Sequence, residues 1–327
     1  MALPMNNSNS TDGSGTSSSL AHTELLVFAV YKMILSPVTV LGNGLLVLTG
    51  CMDPHRSFRT PSALFLLTMS MANVFTGILV APIFAAVEYN SFYGRDQLLN
   101  IAKFGSSFSL LTLNISFAMV FALAVDYFIA VFRPTKYRSW ITMLRAKIFI
   151  AMTSLIALTF SLLPHLNVPF ETVFKVDLHF NSTLNSALLV VSYVLLYIAF
   201  KNQTKKSLNL RRTGNCAANT EQVDKIFALQ NKFRRLLLIF VVFSTVPAIL
   251  SAIAAHFVAY CGPCQEYKSI VVVQEGCLNL IFMKCALDPF AFGWRLSRNR
   301  QALKKIICCQ LQTVRQITPD NLQETRF

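Results

Sequence analysis

The chain has few charged residues, and acidic ones are the scarcer kind. Only 15 of its 327 residues are Asp or Glu, against 29 Lys or Arg, and charged residues make up 13% of the sequence. No phosphate-binding loop, metal-ligand cluster or activated nucleophile stands out, so we expect no enzyme activity, metal or cofactor. Because 54% of the residues are apolar, the chain has room for one membrane domain and little else.

The first 24 residues lack the basic start and the apolar core of a cleavable signal peptide. They are rich in Ser, Asn and Gly, so we expect a disordered extracellular tail, with the first apolar stretch serving as the targeting signal. Acceptor motifs at Asn6 and Asn9 are predicted glycosylation sites in this tail. A third is predicted at Asn181, in the outer loop before the fifth apolar stretch.

Seven long apolar stretches make up most of the remaining sequence. Each is near or above the roughly 20 residues that cross a bilayer, and only helices satisfy their own backbone groups in lipid. The stretches are Leu25–Cys51, Ser62–Ala86, Leu98–Val131, Ala146–Pro164, Leu184–Phe200, Leu236–Ala259 and Ile270–Trp294. The sequence therefore predicts an all-α membrane protein, a seven-transmembrane helix bundle over residues 25–295.

Basic residues are concentrated on alternate connections between these stretches. Of the 29 Lys and Arg residues, 23 lie on three such connections and in the tail after Trp294. The positive-inside rule then places the C-terminus in the cytoplasm and the N-terminus outside, in a multi-pass protein of the plasma membrane. The net charge of +14 thus indicates topology and attraction to membrane lipid, and does not indicate nucleic-acid binding.

Four motifs occur in a fixed order inside the stretches. They are Gly42-Asn43-Gly44, Asp126-Tyr127-Phe128, Phe243-Ser244-Thr245-Val246-Pro247 and Asp288-Pro289-Phe290-Ala291-Phe292. With this order and placement, residues 25–309 resemble a rhodopsin-like G-protein-coupled receptor. The resemblance implies an extracellular ligand, a heterotrimeric G protein as cytoplasmic partner and arrestin as a further possible partner. In this family a disulfide ties the top of the third helix to the second outer loop, and this chain lacks it. In this respect the chain resembles the melanocortin, cannabinoid and lysophospholipid branch.

Two of these motifs depart from the family pattern. Asp126 and Tyr127 are the expected G-protein interface, but Tyr127 stands where the family has the arginine that engages the G protein. Thr245 stands where the family has a tryptophan. Two alternatives therefore remain open: a coupled receptor with altered activation motifs, and a receptor-like protein that does not couple. A transporter is a further alternative, although the internal three-helix repeat it predicts is not seen.

Polar residues in the middle of the stretches predict an unusual bundle centre. Lys284 lies four residues before Asp288, on one face of a helix, and either charge alone would cost about 2.5–3.5 kcal/mol in the membrane. Family members hold a sodium ion beside an acidic residue whose matching position here is Asn73. We hypothesise that the Lys284 ammonium takes the place of that sodium, held by Asp288, Asn73 and Ser116. Asn43 completes the predicted polar core.

The resemblance also places a ligand pocket among the third, fifth, sixth and seventh helices. The residues expected to line it are Ser109, Thr112, Ala252, His256 and Glu275. An uncharged face on the third helix favours an apolar or weakly polar ligand, and Glu275 leaves room for one basic group. A solvated helix end is the alternative interpretation of His256 and Glu275.

The cysteines fall into two informative groups. Cys261 and Cys264 lie in an outer loop, where a local disulfide, or pairing of one of them with Cys277, is expected. Residues 296–327 are predicted to form a short amphipathic eighth helix on the inner leaflet and a cytoplasmic tail, and Cys308 and Cys309 follow the basic amphipathic stretch. We expect palmitoylation of one or both cysteines there, with unmodified cytosolic thiols as the alternative.

Overall fold

The computed structural model describes residues 15–52, 60–94, 98–133, 135–213, 245–261 and 268–293. Within these ranges the regular structure is entirely helical. We number the long helices α1 to α7. They are α1, Gly15–Met52; α2, Pro61–Phe75, continued by the π segment Thr76–Val80 and by Ala81–Phe92; α3, Leu99–Phe132; α4, Met143–Leu162, ending in the 3-10 turn Leu163–Leu166; α5, Phe170–Asp177, the π segment Leu178–Leu184 and Asn185–Thr213; α6, Val246–Tyr260; and α7, Lys268–Asp288, followed by the π turn Pro289–Gly293.

Helices α1 to α5 are long and apolar enough to cross a membrane. The qualifying segments are Thr23–Met52, Pro61–Phe92, Leu99–Phe132, Met143–Leu166 and Phe170–Ala199. Helix α6 is a shorter apolar helix within the described residues. This arrangement confirms the predicted all-α class and the helical membrane bundle.

The described helices pack in a closed ring of contacts, with α3 at the junction of α2, α4 and α5. Helix α1 contacts α2 and α7, α2 contacts α3, and α3 contacts α4 and α5, while α6 joins α5 to α7. Met69 of α2 and Met119 of α3 are fully enclosed where these helices meet. Helix α4 instead exposes large apolar side chains, among them Leu144 and Met152, as expected of a face that contacts lipid.

A glycine permits the close contact between α1 and α2. A Cβ atom on Gly77 would lie 2.8 Å from Val40 Cγ2 and 3.2 Å from the Ser36 carbonyl oxygen. The Ser36 hydroxyl donates to the Gly77 carbonyl at 2.7 Å, which ties the two helices together at this point. No larger residue fits here without displacing α1.

The segment before Leu184 is helical, so the predicted outer loop there is wrong. After a turn in which Asn167 takes a positive φ of 64°, α5 already begins at Phe170. Asn181 lies inside the π segment, and its Nδ2, the atom that would carry a glycan, donates to Asp177 Oδ1 at 2.6 Å. The sequence did not predict this helix because the stretch contains polar residues, which pair with one another in the structure.

Several predicted features lie outside the described residues. They are the glycosylation sites Asn6 and Asn9, the cysteines Cys264, Cys308 and Cys309, and the eighth helix.

Candidate functional site

Four helices bring polar side chains together in the centre of the bundle, which we call the polar centre. Its members are Asn43 of α1, Asn73 of α2, Ser116 of α3, and Lys284 and Asp288 of α7. All five are buried, with Lys284 only 1% and Asp288 only 3% exposed. The structure thus places together the five residues of the predicted polar core.

The Lys284 ammonium is the positive charge of this centre. Its Nζ lies 2.9 Å from Asp288 Oδ2 and donates to Ser116 Oγ at 2.8 Å. It also lies 4.8 Å from the ring centroid of Phe117, within cation–π range. One ammonium therefore links α7 to α3 while neutralising a carboxylate on its own helix.

Two asparagines extend the network to α1 and α2. Asn73 Nδ2 donates to Asp288 Oδ2 at 2.8 Å and lies 3.3 Å from Asn43 Oδ1. Asn43 Nδ2 in turn donates to the backbone carbonyls of Thr39 and Cys285, at 2.9 and 3.0 Å. The Asp288 carboxylate is therefore held by a cation and by an amide from a second helix, as a buried charge requires.

Near the C-terminal end of α3, Asp126 is held by neutral donors. The Ser62 hydroxyl donates to Oδ2 at 2.5 Å, and the Tyr137 hydroxyl donates to Oδ1 at 2.9 Å. Burial of Tyr137, together with the nearby Asp126 charge, raises the pKa of this tyrosine to about 12, so it remains a neutral donor. The neighbouring Tyr127 packs against the apolar core between α2, α3 and α5.

The predicted pocket residues lie on α3, α6 and α7. The hydroxyls of Ser109 and Thr112 point back to carbonyls of their own helix, with Ser109 Oγ 2.7 Å from the Ser106 oxygen. His256 bonds to the carbonyl of Ala252, one turn earlier on α6. Among the described residues no hydrogen bond links His256 to α3. Glu275 is half-buried on α7.

A second buried ion pair was not predicted from the sequence. Lys32 of α1 bonds to Glu88 Oε1 of α2, and the two residues are only 1% and 7% exposed. The Lys32 ammonium also lies 5.7 Å from the ring centroid of Phe282 on α7. The only available signal was the presence of two opposite charges inside apolar stretches, since 56 positions separate them in sequence.

The cysteines agree in part with the expected pattern. Cys261 is disulfide-bonded, and its partner lies outside the described residues. Cys277 carries a free thiol, so the alternative pairing with Cys277 is not formed.

Comparison with known proteins supplies the family. A family model described as 7 transmembrane receptor (rhodopsin family) matches residues 42–292, most of the chain. The chain belongs to this family of rhodopsin-like receptors, in agreement with the ring of helices and the motifs.

Individual receptors are similar over shorter regions. The human adenosine receptor A2b is 25% identical over 150 residues, which cover 45% of this chain and 42% of that receptor. The cannabinoid receptor 1 of Xenopus laevis is 27% identical over 146 residues, which cover 44% of this chain and 30% of that receptor. The chain thus matches less than half the length of either relative. Only one of the two falls in the predicted branch, which remains a prediction.

Proposed function

We propose that this protein is a plasma-membrane receptor that conveys an extracellular ligand signal to cytoplasmic partners, with its N-terminus outside. The polar centre is the observation that carries this proposal. Ionisable residues are expensive inside a membrane and usually serve function, and here four helices of the bundle converge on one ion pair. Family membership and the distribution of basic residues support the same conclusion.

In this proposal the Lys284 ammonium replaces the sodium ion of the family. It neutralises Asp288 and links α7 to α3, which are the tasks of a cation at this position. Because the ammonium is attached to α7, it cannot leave the site. Any movement of α7 away from α3 must break the bond between Lys284 and Ser116, so this bond would hold the two helices in their resting arrangement.

The cytoplasmic end determines how such a receptor couples. Tyr127 offers no positive charge, and Asp126 is held by Ser62 and Tyr137 instead of by a neighbouring arginine. We therefore propose that coupling to a heterotrimeric G protein is weak in the natural chain, and that arrestin is a further partner. These same contacts favour the second candidate function, a receptor-like protein without G-protein coupling.

The ligand is proposed to be apolar or weakly polar. The described part of α3 that faces the expected pocket carries hydroxyls bonded within the helix, at Ser109 and Thr112, and no charged group. Glu275 on α7 could receive one basic group of such a ligand.

Guanine-nucleotide exchange by G proteins, with the natural chain compared with Tyr127→Arg, tests this function. A charged hydrogen bond contributes about 1.5–3 kcal/mol, so we expect the arginine to strengthen coupling about ten- to hundredfold. Tyr127→Phe is the matched control, since it keeps the ring and adds no charge.

Three outcomes separate the candidates. Weak exchange in the natural chain that rises with arginine supports a receptor with reduced coupling. No exchange in either protein, across a panel of G proteins, favours the receptor-like alternative. Strong exchange in the natural chain contradicts the proposed role of Tyr127.

A further inference from the structure

The outer ends of α5 and α6 meet at two histidines and a tyrosine, which we call the outer histidine cluster. It consists of His179 in the π segment of α5, and His256 and Tyr260 of α6. The two imidazole rings lie 5.1 Å apart between centroids, and His179 Nε2 lies 2.6 Å from the Tyr260 hydroxyl. Neither histidine takes part in the polar centre.

The orientation of His256 is fixed by its own helix. His256 Nδ1 lies 2.8 Å from the Ala252 carbonyl oxygen, which can only accept, so Nδ1 carries the proton. The other nitrogen, Nε2, therefore presents a lone pair. Metal-ligating histidines are commonly held this way, with one nitrogen bonded to a carbonyl and the other free to coordinate.

The neighbour of this lone pair does not supply a proton to it. Thr183 Oγ1 lies 3.4 Å from His256 Nε2, but its hydroxyl donates to the Leu178 carbonyl at 2.9 Å. The single lone pair of Nε2 is thus directed at the threonine oxygen and receives no proton from it.

The cluster is accessible to solvent, and the described cation beside it is paired with a carboxylate. His179 and Tyr260 are exposed and His256 is half-buried. The Lys175 ammonium lies 5.5 Å from the Tyr260 ring centroid, and Glu171 pairs with it at 2.6 Å. The π segment that carries His179 belongs to a class of helix distortion often found at functional sites.

We propose that His179 and His256 together bind a divalent transition-metal ion of the Zn²⁺ class, joining α5 to α6 at the outer face. Neutral imidazoles suit Zn²⁺, Cu²⁺ and Ni²⁺, whereas oxygen ligands suit Mg²⁺ and Ca²⁺. The Tyr260 oxygen and water complete the coordination. With two histidine ligands and positions left for water, the proposed site is open and exchangeable, unlike the closed four-ligand sites that have a structural role.

Bound metal would fix the distance between the outer ends of α5 and α6. If the proposed receptor function holds, the ion then acts as a modulator, because the expected ligand pocket lies between the same helices. The binding site itself does not depend on that function.

Zinc chloride titrated into the purified full-length protein in lipid nanodiscs tests the site, with binding measured by calorimetry and by the rise in unfolding temperature. Loss of a group that merely orients a ligand lowers metal affinity about 10–100-fold, so His179→Ala or His256→Ala should lower it at least about tenfold. His165→Ala is the matched control, because His165 is exposed on the turn after α4 and is in none of the hydrogen bonds and ring contacts that define the cluster.

Binding should also disappear near pH 5, because protons compete for the imidazole nitrogens. Unfolding temperatures without zinc check folding, and His256→Gln replaces the alanine variant if that one fails to fold. Unchanged zinc affinity in the variant that lacks both histidines would overturn the proposal. An equal loss in His165→Ala would do the same. Neither result bears on signalling, so the receptor function is tested separately.

Discussion

Among the residues that the structure describes, Lys32 and Lys284 are fully enclosed, and each is paired with a carboxylate. Lys284 pairs within α7 at i,i+4 spacing, whereas Lys32 of α1 pairs with Glu88 of α2. The desolvation penalty is several kcal/mol for an ion in a protein interior, and close pairing offsets it. Breaking either pair should therefore cost far more than breaking an exposed one.

Glu88→Gln tests the cost of the pair between α1 and α2. The substitution removes the carboxylate bonded to the buried Lys32 ammonium and leaves the more distant Glu275 charge to compensate it in part, so we expect the free energy of unfolding to fall by up to about 3–5 kcal/mol. Glu171→Gln is the matched control, because its partner Lys175 is exposed and such pairs contribute about 0–1 kcal/mol. Equal unfolding free energies for the two variants, measured by denaturation in detergent, would contradict this account.

The sequence predicted one of these pairs and not the other, for a physical reason. Helical geometry alone places Lys284 and Asp288 on one face, so their spacing was sufficient. The pair of Lys32 with Glu88 depends on how α1 and α2 pack, which the sequence of either helix does not determine. The contacts of Lys284 with Ser116 and of Asn73 with Asp288 were anticipated only through the resemblance to a family.

At the scale of helices, close packing of α1 on α2 depends on Gly77. Gly77→Ala would place a Cβ 2.8 Å from a methyl of Val40 and 3.2 Å from the Ser36 carbonyl oxygen. Overpacking of this kind costs about 1–3 kcal/mol, which exceeds the gain of up to about 1 kcal/mol in helix propensity. We expect a net loss of unfolding free energy, measured by denaturation of the purified protein.

Gly44→Ala is the control for this prediction. A Cβ at Gly44 would meet no atom within 4 Å, so only the gain in helix propensity should remain. If Gly77→Ala proved as stable as Gly44→Ala, the close approach of α1 and α2 would not be a constraint on the bundle.

Helix ends were predicted less well than the helices themselves. Apolar length identified α1 to α4 because their lipid-facing and core-facing residues are both apolar. Apolar length did not predict the start of α5. There Asp177 accepts hydrogen bonds from Asn114 of α3 and from Asn181. Polar residues that pair inside the bundle have the same composition as a loop, and only the packing distinguishes them.

For the whole molecule, the length of the apolar stretches predicted the helical membrane bundle, whereas its orientation and its ligand pocket stay predictions. The bias of basic residues set the expected orientation, and the family match over residues 42–292 agrees with a seven-helix receptor. Ser109 and His256 of the predicted pocket each bond to their own helix, and their shared pocket stays a prediction. Pocket positions depend on how helices α3 and α6 face each other, which motifs do not encode.

The central claim is that the chain supplies its own cation to the polar centre. A sodium titration of thermal stability, run against potassium at constant ionic strength, tests it most directly. Because Lys284 already neutralises Asp288, we expect the two salts to give the same unfolding temperature for the natural protein. Lys284→Met should gain a sodium-specific rise, since it leaves the Asp288 carboxylate without a cation. A sodium-specific stabilisation of the natural protein would contradict the account.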